Sequence, residues 1–215
     1  MKKTIWILPL LALAAACNKS DGNNAAATGN MPAPAPATNV ATEAGPQPGQ
    51  EQQSAMPAGL DCVRNRLSPE QRQGVAQAAM EQRVSQEDPR AQALSQAVDA
   101  CGDELSWSPA KRRLAGMFSM SAAGATGIRQ ALGSQGIQVQ ALDEVILSDR
   151  ALMMAAENDQ LNSDTGRSFA ARHHAALERV AGGRPLDGEL SMRIGNYIAF
   201  IALAQTIAAR FASVS

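Results

Sequence analysis

The chain has few aromatic residues and no excess of either charge. Only 3% of its 215 residues are aromatic, and 19 Lys and Arg stand against 20 Asp and Glu, a net charge of −1. Since a near-neutral chain lacks the basic surface that nucleic-acid binding requires, we predict no nucleic-acid partner. Four of the six aromatic side chains in residues 59–215 fall on predicted apolar faces, which argues against a platform that stacks sugars or bases.

The N-terminal apolar run is too short to span a bilayer. The stretch Thr4–Ala16 follows Lys2 and Lys3 and has 13 residues, whereas a spanning helix needs about 20. A positive start, a short apolar core and a small-residue end are typical of a secretory signal peptide. We therefore predict that residues 1–16 are removed before the protein folds.

The signal peptide ends in Leu13-Ala14-Ala15-Ala16-Cys17, which resembles the lipobox of bacterial lipoproteins. Ala14 stands where that family usually has Leu. The resemblance implies that Cys17 becomes the N-terminus and carries acyl chains, so that the partner at this end is the membrane itself. Because Asn18 rather than Asp follows the Cys, the resemblance implies a lipid anchor in the outer membrane of the cell envelope, with the protein facing the periplasm.

The segment 17–58 has the composition of a disordered tether. It is rich in Ala, Pro and Gln, contains six prolines after Cys17 and carries few charges. Such a segment buries too little apolar area to offset the entropy cost of ordering it. As a coil it would span about 35 Å, which lets a folded domain act away from the lipid surface.

Residues 59–215 are predicted to form one all-α domain. Ser68-Pro69, Asp88-Pro89 and Ser108-Pro109 each place a capping residue before a proline, as helix starts do. Six helices in a bundle or an orthogonal array are expected. Apolar residues recur at helical spacing over Ala76–Val84, Leu94–Leu105, Leu114–Leu132, Val139–Met153, Phe169–Val180 and Leu190–Phe211.

Two of these helices have unusual compositions. Ser119–Gly127 consists almost entirely of small residues, which predicts either a tightly packed central helix or a broken one. Ile194–Ala209 is apolar on most sides but short for a membrane span, so we favour a buried core helix over a second membrane contact.

Cys62 and Cys101 are the two cysteines left for the folded domain. In an oxidising, exported compartment a pair of cysteines favours a disulfide. An antiparallel pairing of the first two predicted helices would bring Cys101 back toward the segment that carries Cys62. We predict that these residues form a disulfide, the alternative being two unpaired thiols.

No pattern predicts a catalytic residue. Ser108 and Lys111 match the Ser-x-x-Lys motif of penicillin-binding proteins and serine β-lactamases, but the Lys-Thr-Gly and Ser-x-Asn partners of that motif are missing. A helix N-cap followed by Pro109 explains Ser108 fully.

The sequence also predicts neither a cofactor nor a bound metal. Thioether and imidazole groups suit copper(I), and an exported location suits metal handling, so a copper site is an alternative. Its candidate ligands are Met117, Met120, Met153, Met154 and His173. The simpler interpretation makes the methionines core residues and His173 a hydrogen-bonded core side chain, with His174 in solvent.

Together these features predict a lipid-anchored envelope protein that binds a partner, either another envelope protein or the cell wall, and catalyses no reaction. One alternative is a carrier of an apolar ligand or a metal, which should have an enclosed apolar cavity. Another is a hydrolase, which should have polar side chains converging in a cleft. An interaction module should instead have an exposed apolar patch.

Overall fold

A computed structural model describes Pro57, residues 59–81, Ser85 and residues 87–214. The predicted signal peptide, the lipidated Cys17 and nearly all of the tether lie outside the described residues and stay predictions. Every regular element within the described residues is a helix, which confirms the all-α fold class.

Eight helices make up this part of the chain. In order they are α1 (Leu60–Arg66), α2 (Pro69–Glu81), α3 (Pro89–Glu104), α4 (Pro109–Ser134), α5 (Val139–Ser148), α6 (Arg150–Glu157), α7 (Ser163–Val180) and α8 (Gly188–Ser213).

The structure has two more helices than the roughly six that the apolar pattern predicts. Helix α1 was missed because seven residues are too few to show a helical period. The predicted fourth helix is two helices, α5 and α6, since Asp149 between them has extended φ and ψ angles of −80° and 94°. Its carboxylate accepts a hydrogen bond from the backbone N–H of Leu152 and so begins a new helix.

The three predicted helix starts are confirmed. Ser68 accepts a hydrogen bond from the backbone of Gln71, whose side chain accepts one from the backbone of Ser68, so that α2 begins with a capping box. Asp88 caps α3 through the N–H of Arg90, and Ser108 caps α4 through the N–H of Lys111.

Helices α4 and α8, each 26 residues long, pack along one another at the centre of the domain. The small-residue segment of α4 is continuous and makes this approach possible. A Cβ added to Gly124 would lie 2.7 Å from the ring of Phe200 on α8, well inside van der Waals contact. The prediction of a tightly packed central helix is thus confirmed over that of a broken one.

Helix α8 is long and apolar enough to cross a membrane by length and composition alone. However, 67% of its most apolar stretch is buried within the domain. Burial of this extent is typical of a core helix, which is what the sequence predicts for this segment.

Two apolar clusters flank the central helices. The proximal cluster joins α1, α2 and α3 to the start of α4 and the end of α8, and includes Leu60, Val63, Val75, Leu94, Val98, Cys101, Trp107, Ala115 and Phe211. The distal cluster joins α5, α6 and α7 to the rest of α4 and α8, and includes Leu132, Leu142, Ile146, Leu152, Phe169, Leu177, Ile194 and Tyr197.

Candidate functional site

Cys62 on α1 and Cys101 on α3 form the predicted disulfide, with an S–S distance of 2.06 Å and a Cα–Cα distance of 6.1 Å. The two cysteines differ in exposure. Cys101 is fully buried in the proximal cluster, whereas Cys62 is partly exposed. The bond therefore fastens α1, the first of the described helices, to the core of the domain.

Cys62 lies in an open cleft of about 440 Å³ between α1 and the end of α3. The chain enters this cleft at Gly59, whose φ of 101° falls in the left-handed region. A Cβ on Gly59 would lie 3.2 Å from both Leu105 and Trp107, so a residue with a side chain would be strained and crowded here. Across the cleft Arg66 of α1 pairs with Glu104 of α3.

A second group of polar side chains meets at Asp149, between α5 and α6. The Asp149 side chain is 3% exposed, and both its oxygens are used. Oδ1 accepts the backbone N–H of Leu152 at 2.8 Å, while Oδ2 accepts Nε and Nη2 of Arg172 at 3.0 and 2.7 Å. Nε2 of His173 lies 2.7 Å from the same Oδ2. One buried carboxylate thus joins three helices.

The environment of Asp149 favours its charged form. Burial alone would raise the pKa of this carboxyl, because it removes water from the charge. The hydrogen bonds from Leu152, Arg172 and His173 outweigh burial, so the pKa of Asp149 lies below its usual value. The group is therefore a carboxylate at neutral pH, a hydrogen-bond acceptor for its three partners.

His173 interrupts the regular geometry of α7. Its φ and ψ angles of −112° and 17° are not helical and kink the helix at this residue. Its ring packs on Phe169 of the distal cluster with the two ring centroids 4.7 Å apart. His174 is exposed and lies 3.2 Å from Glu178. The structure thus agrees with a hydrogen-bonded His173 and a solvent His174.

Beside this group is an open cleft of about 440 Å³ between α6 and α7. Its lining is mainly polar and consists of Ala151, Ala155, Gln160, Asn162, Asp164, Thr165, Ser168 and Arg172. Asp149 holds one edge of the Arg172 guanidinium, and Arg172 is on the cleft wall. A hydroxyl, amide or carboxylate of a partner would find hydrogen-bonding groups on this wall.

The four candidate methionines differ in burial and in the helix that carries them. Met117 and Met120 are partly buried on α4, Met153 packs on the distal cluster, and Met154 is 50% exposed on α6. Among the described residues, no group of three or more His, Cys, Asp or Glu is placed to hold a metal ion. Nε2 of His173, the candidate imidazole, already faces Asp149.

Ser108 and Lys111, the two residues of the Ser-x-x-Lys match, make contacts that stabilise the fold. Ser108 accepts the N–H of Lys111 at 3.3 Å as the cap of α4. The Lys111 ammonium lies over the ring of Phe211, 5.1 Å from its centroid, in a cation–π contact. Both residues therefore have a structural role, as the capping interpretation predicts.

A further, partly buried polar contact was not predicted. The Tyr197 hydroxyl donates to Asp143 at 2.6 Å, and Arg129 pairs with the same carboxylate. Burial and the neighbouring carboxylate together raise the pKa of Tyr197. This contact ties α4 and α5 to α8 in the distal cluster. The sequence held no signal for it, since Asp143 and Tyr197 are far apart along the chain.

Comparison of the chain with family models, with curated proteins and with solved structures finds no match. The roles of its residues therefore follow from their geometry.

Proposed function

We propose that the chain is a lipid-anchored protein of the bacterial cell envelope whose helical domain binds a partner and catalyses no reaction. The observation that carries the proposal is the Cys62–Cys101 disulfide, because disulfides persist in exported proteins and are rare in the cytosol. The lipobox-like ending at Cys17 supports an outer-membrane anchor with the domain in the periplasm.

Binding is favoured over catalysis because the buried carboxylate of Asp149 has a structural role. Both oxygens of Asp149 hold helix α6, Arg172 and His173 in place. Binding is also favoured over a carrier role, because the clefts at α1–α3 and α6–α7 are open, whereas a carrier of an apolar ligand needs an enclosed apolar cavity.

The partner, another envelope protein or the cell wall, is proposed to bind in the α6–α7 cleft. Its polar lining offers donors and acceptors, and Arg172 is held by a buried carboxylate, so little side-chain entropy is lost on binding. The tether would give the domain the reach to meet a partner beyond the lipid surface.

The anchor is tested by expressing the full chain in a bacterium and analysing its N-terminal peptide by mass spectrometry. We expect the peptide to begin at Cys17 with acyl chains attached, and the protein to sediment with outer membranes. Cys17→Ala is the control and should leave the signal peptide uncleaved and the Cys-linked lipid absent. An unlipidated N-terminus in the wild-type protein would contradict the anchor.

The binding face is tested separately by photo-crosslinking in intact cells. A photoreactive residue at Ser168, in the α6–α7 cleft, should give a discrete crosslinked product. The matched control is Gln73, which is also exposed but lies on α2. Crosslinks from Gln73 alone, or from neither position, would overturn the assignment of the cleft.

A further inference from the structure

The two cysteines of the disulfide differ in their exposure to solvent. Cys62 is partly exposed and lines the α1–α3 cleft, while Cys101 is fully buried. Thiol–disulfide exchange begins when a thiolate attacks one sulfur of the bond, so access decides which sulfur is attacked. An external thiolate can approach Sγ of Cys62, whereas the sulfur of Cys101 is shielded by the proximal cluster.

Helix α1 has few features of its own that stabilise it. It has seven residues and no side-chain cap, and helices this short are not stable alone in water. Leu60 and Val63 are its buried apolar anchors within the helix. The Arg66–Glu104 ion pair is exposed, and exposed pairs contribute little.

We propose that the Cys62–Cys101 bond is a redox-controlled latch that a dithiol reductant of the Cys-x-x-Cys class opens from the α1–α3 cleft. One reductant thiolate attacks Sγ of Cys62, the Cys62–Cys101 bond breaks, and Cys101 leaves as a thiolate that takes up a proton. The second reductant thiol then attacks the mixed disulfide and releases Cys62 as a thiol. The reductant ends as a disulfide and the latch as two thiols, a transfer of two electrons.

Opening the latch would release α1 from the domain. The first helix fixed to the core would then be α2, which begins at Pro69, so the chain between the anchor and the domain would lengthen by about one short helix. The released α1 would also uncover the face of the proximal cluster that Leu60 and Val63 now cover. The state of the bond thus controls an apolar surface and, where the proposed lipid anchor holds, the reach of the domain as well.

The site of attack is tested on the full chain, purified from membranes in detergent and treated with reduced glutathione. Alkylation traps free thiols, and peptide mass spectrometry then locates the mixed disulfide. We expect the glutathione adduct on Cys62 at least about tenfold more often than on Cys101, as the difference in access requires. An even distribution, or an adduct mainly on Cys101, would overturn the proposal.

The release of α1 is tested by hydrogen exchange on the same protein, oxidised and reduced. Exchange in residues 60–66 should rise by at least about tenfold on reduction, while α4 and α8 stay protected. The variant Cys62→Ala with Cys101→Ala should show the fast exchange with or without reductant. Unchanged exchange in α1, or loss of protection in α4 and α8 together with α1, would show that no latch exists.

These tests do not depend on the lipid anchor or on the α6–α7 cleft. An unlipidated protein that still gives the Cys62 adduct would remove the anchor and keep the latch. A lipidated protein without the Cys62 adduct would keep the anchor and remove the latch.

Discussion

Each end of the domain holds in place one helix that is too short to be stable alone, and the two ends do so by different interactions. Helices α1 and α6 are the shortest of the described helices, with seven and eight residues, and neither length is stable alone. At the proximal end a covalent bond from Cys101 holds α1. At the distal end the buried carboxylate of Asp149 caps α6 and ties it to α7 through Arg172 and His173. We expect the disulfide to respond to reductants and the Asp149 carboxylate to respond to pH.

Removing the Cys62–Cys101 disulfide should have the largest effect on stability. The disulfide joins residues 39 apart, and the chain-entropy model gives about 4 kcal/mol for a loop of this length. Cys62→Ala with Cys101→Ala should therefore lower the free energy of unfolding by up to this amount in denaturant titrations. The wild-type protein under reducing conditions should match the variant. A loss below about 1 kcal/mol would mean that packing alone fastens α1.

Removing the Asp149 carboxylate should lower the free energy of unfolding slightly less. Asp149→Ala deletes the cap of α6 and leaves Arg172 and His173 without their acceptor, so we expect a loss of about 3 kcal/mol. Asp164→Ala is the matched control, since Asp164 pairs with Arg167 on the surface of α7 and exposed pairs contribute about 0–1 kcal/mol. Equal losses in the two variants would contradict a special role for Asp149.

The central contact between α4 and α8 links the two ends and should be sensitive to one methyl group. Gly124→Ala places a Cβ 2.7 Å from the Phe200 ring, and overpacking of this kind costs about 1–3 kcal/mol, partly offset by the better helix propensity of Ala. Gly133→Ala, in the same helix with nothing within 4 Å of the added Cβ, should instead stabilise the protein. Thermal unfolding of both variants measures the difference in sign.

The sequence predicted the proximal end better than the distal end, for physical reasons. Cysteine pairs and Ser-Pro or Asp-Pro helix starts act through residue type and local spacing, so Cys62–Cys101 and the caps at Ser68, Asp88 and Ser108 could be predicted. Asp149 lies inside a run of helical periodicity from Val139 to Met153, which hid the break between α5 and α6.

The distal contacts that were missed join residues far apart in the chain. Arg172 meets Asp149 across 23 positions, and Tyr197 meets Asp143 across 54. A single sequence contains no periodicity that pairs such residues, since their approach is set by how α5, α7 and α8 pack. The position of the α6–α7 cleft therefore came only from the structure.

The disulfide and the Asp149 carboxylate should also differ in their response to acid, the smallest of the expected effects. Because the folded-state pKa of Asp149 lies below its unfolded value, its stabilising contribution is complete above the unfolded pKa, near 4, and is lost as the pH falls through the folded pKa. The expected loss is smaller than in Asp149→Ala, because a protonated carboxyl still has an oxygen that can accept the N–H of Leu152.

The free energy of unfolding, measured from pH 6 downward, isolates this contribution when wild-type and Asp149→Asn proteins are compared. Other carboxyls, such as Asp88 with a pKa of about 2, contribute equally to both curves and cancel in the difference. We expect the difference to shrink as the pH falls below about 4, and to be the same whether or not the disulfide is present. If the difference in free energy of unfolding stayed constant across the pH range, the charge of Asp149 would not be what holds α6 and α7 together. The distal end would then not be acid-sensitive, and the contrast with the redox-sensitive proximal end would be wrong.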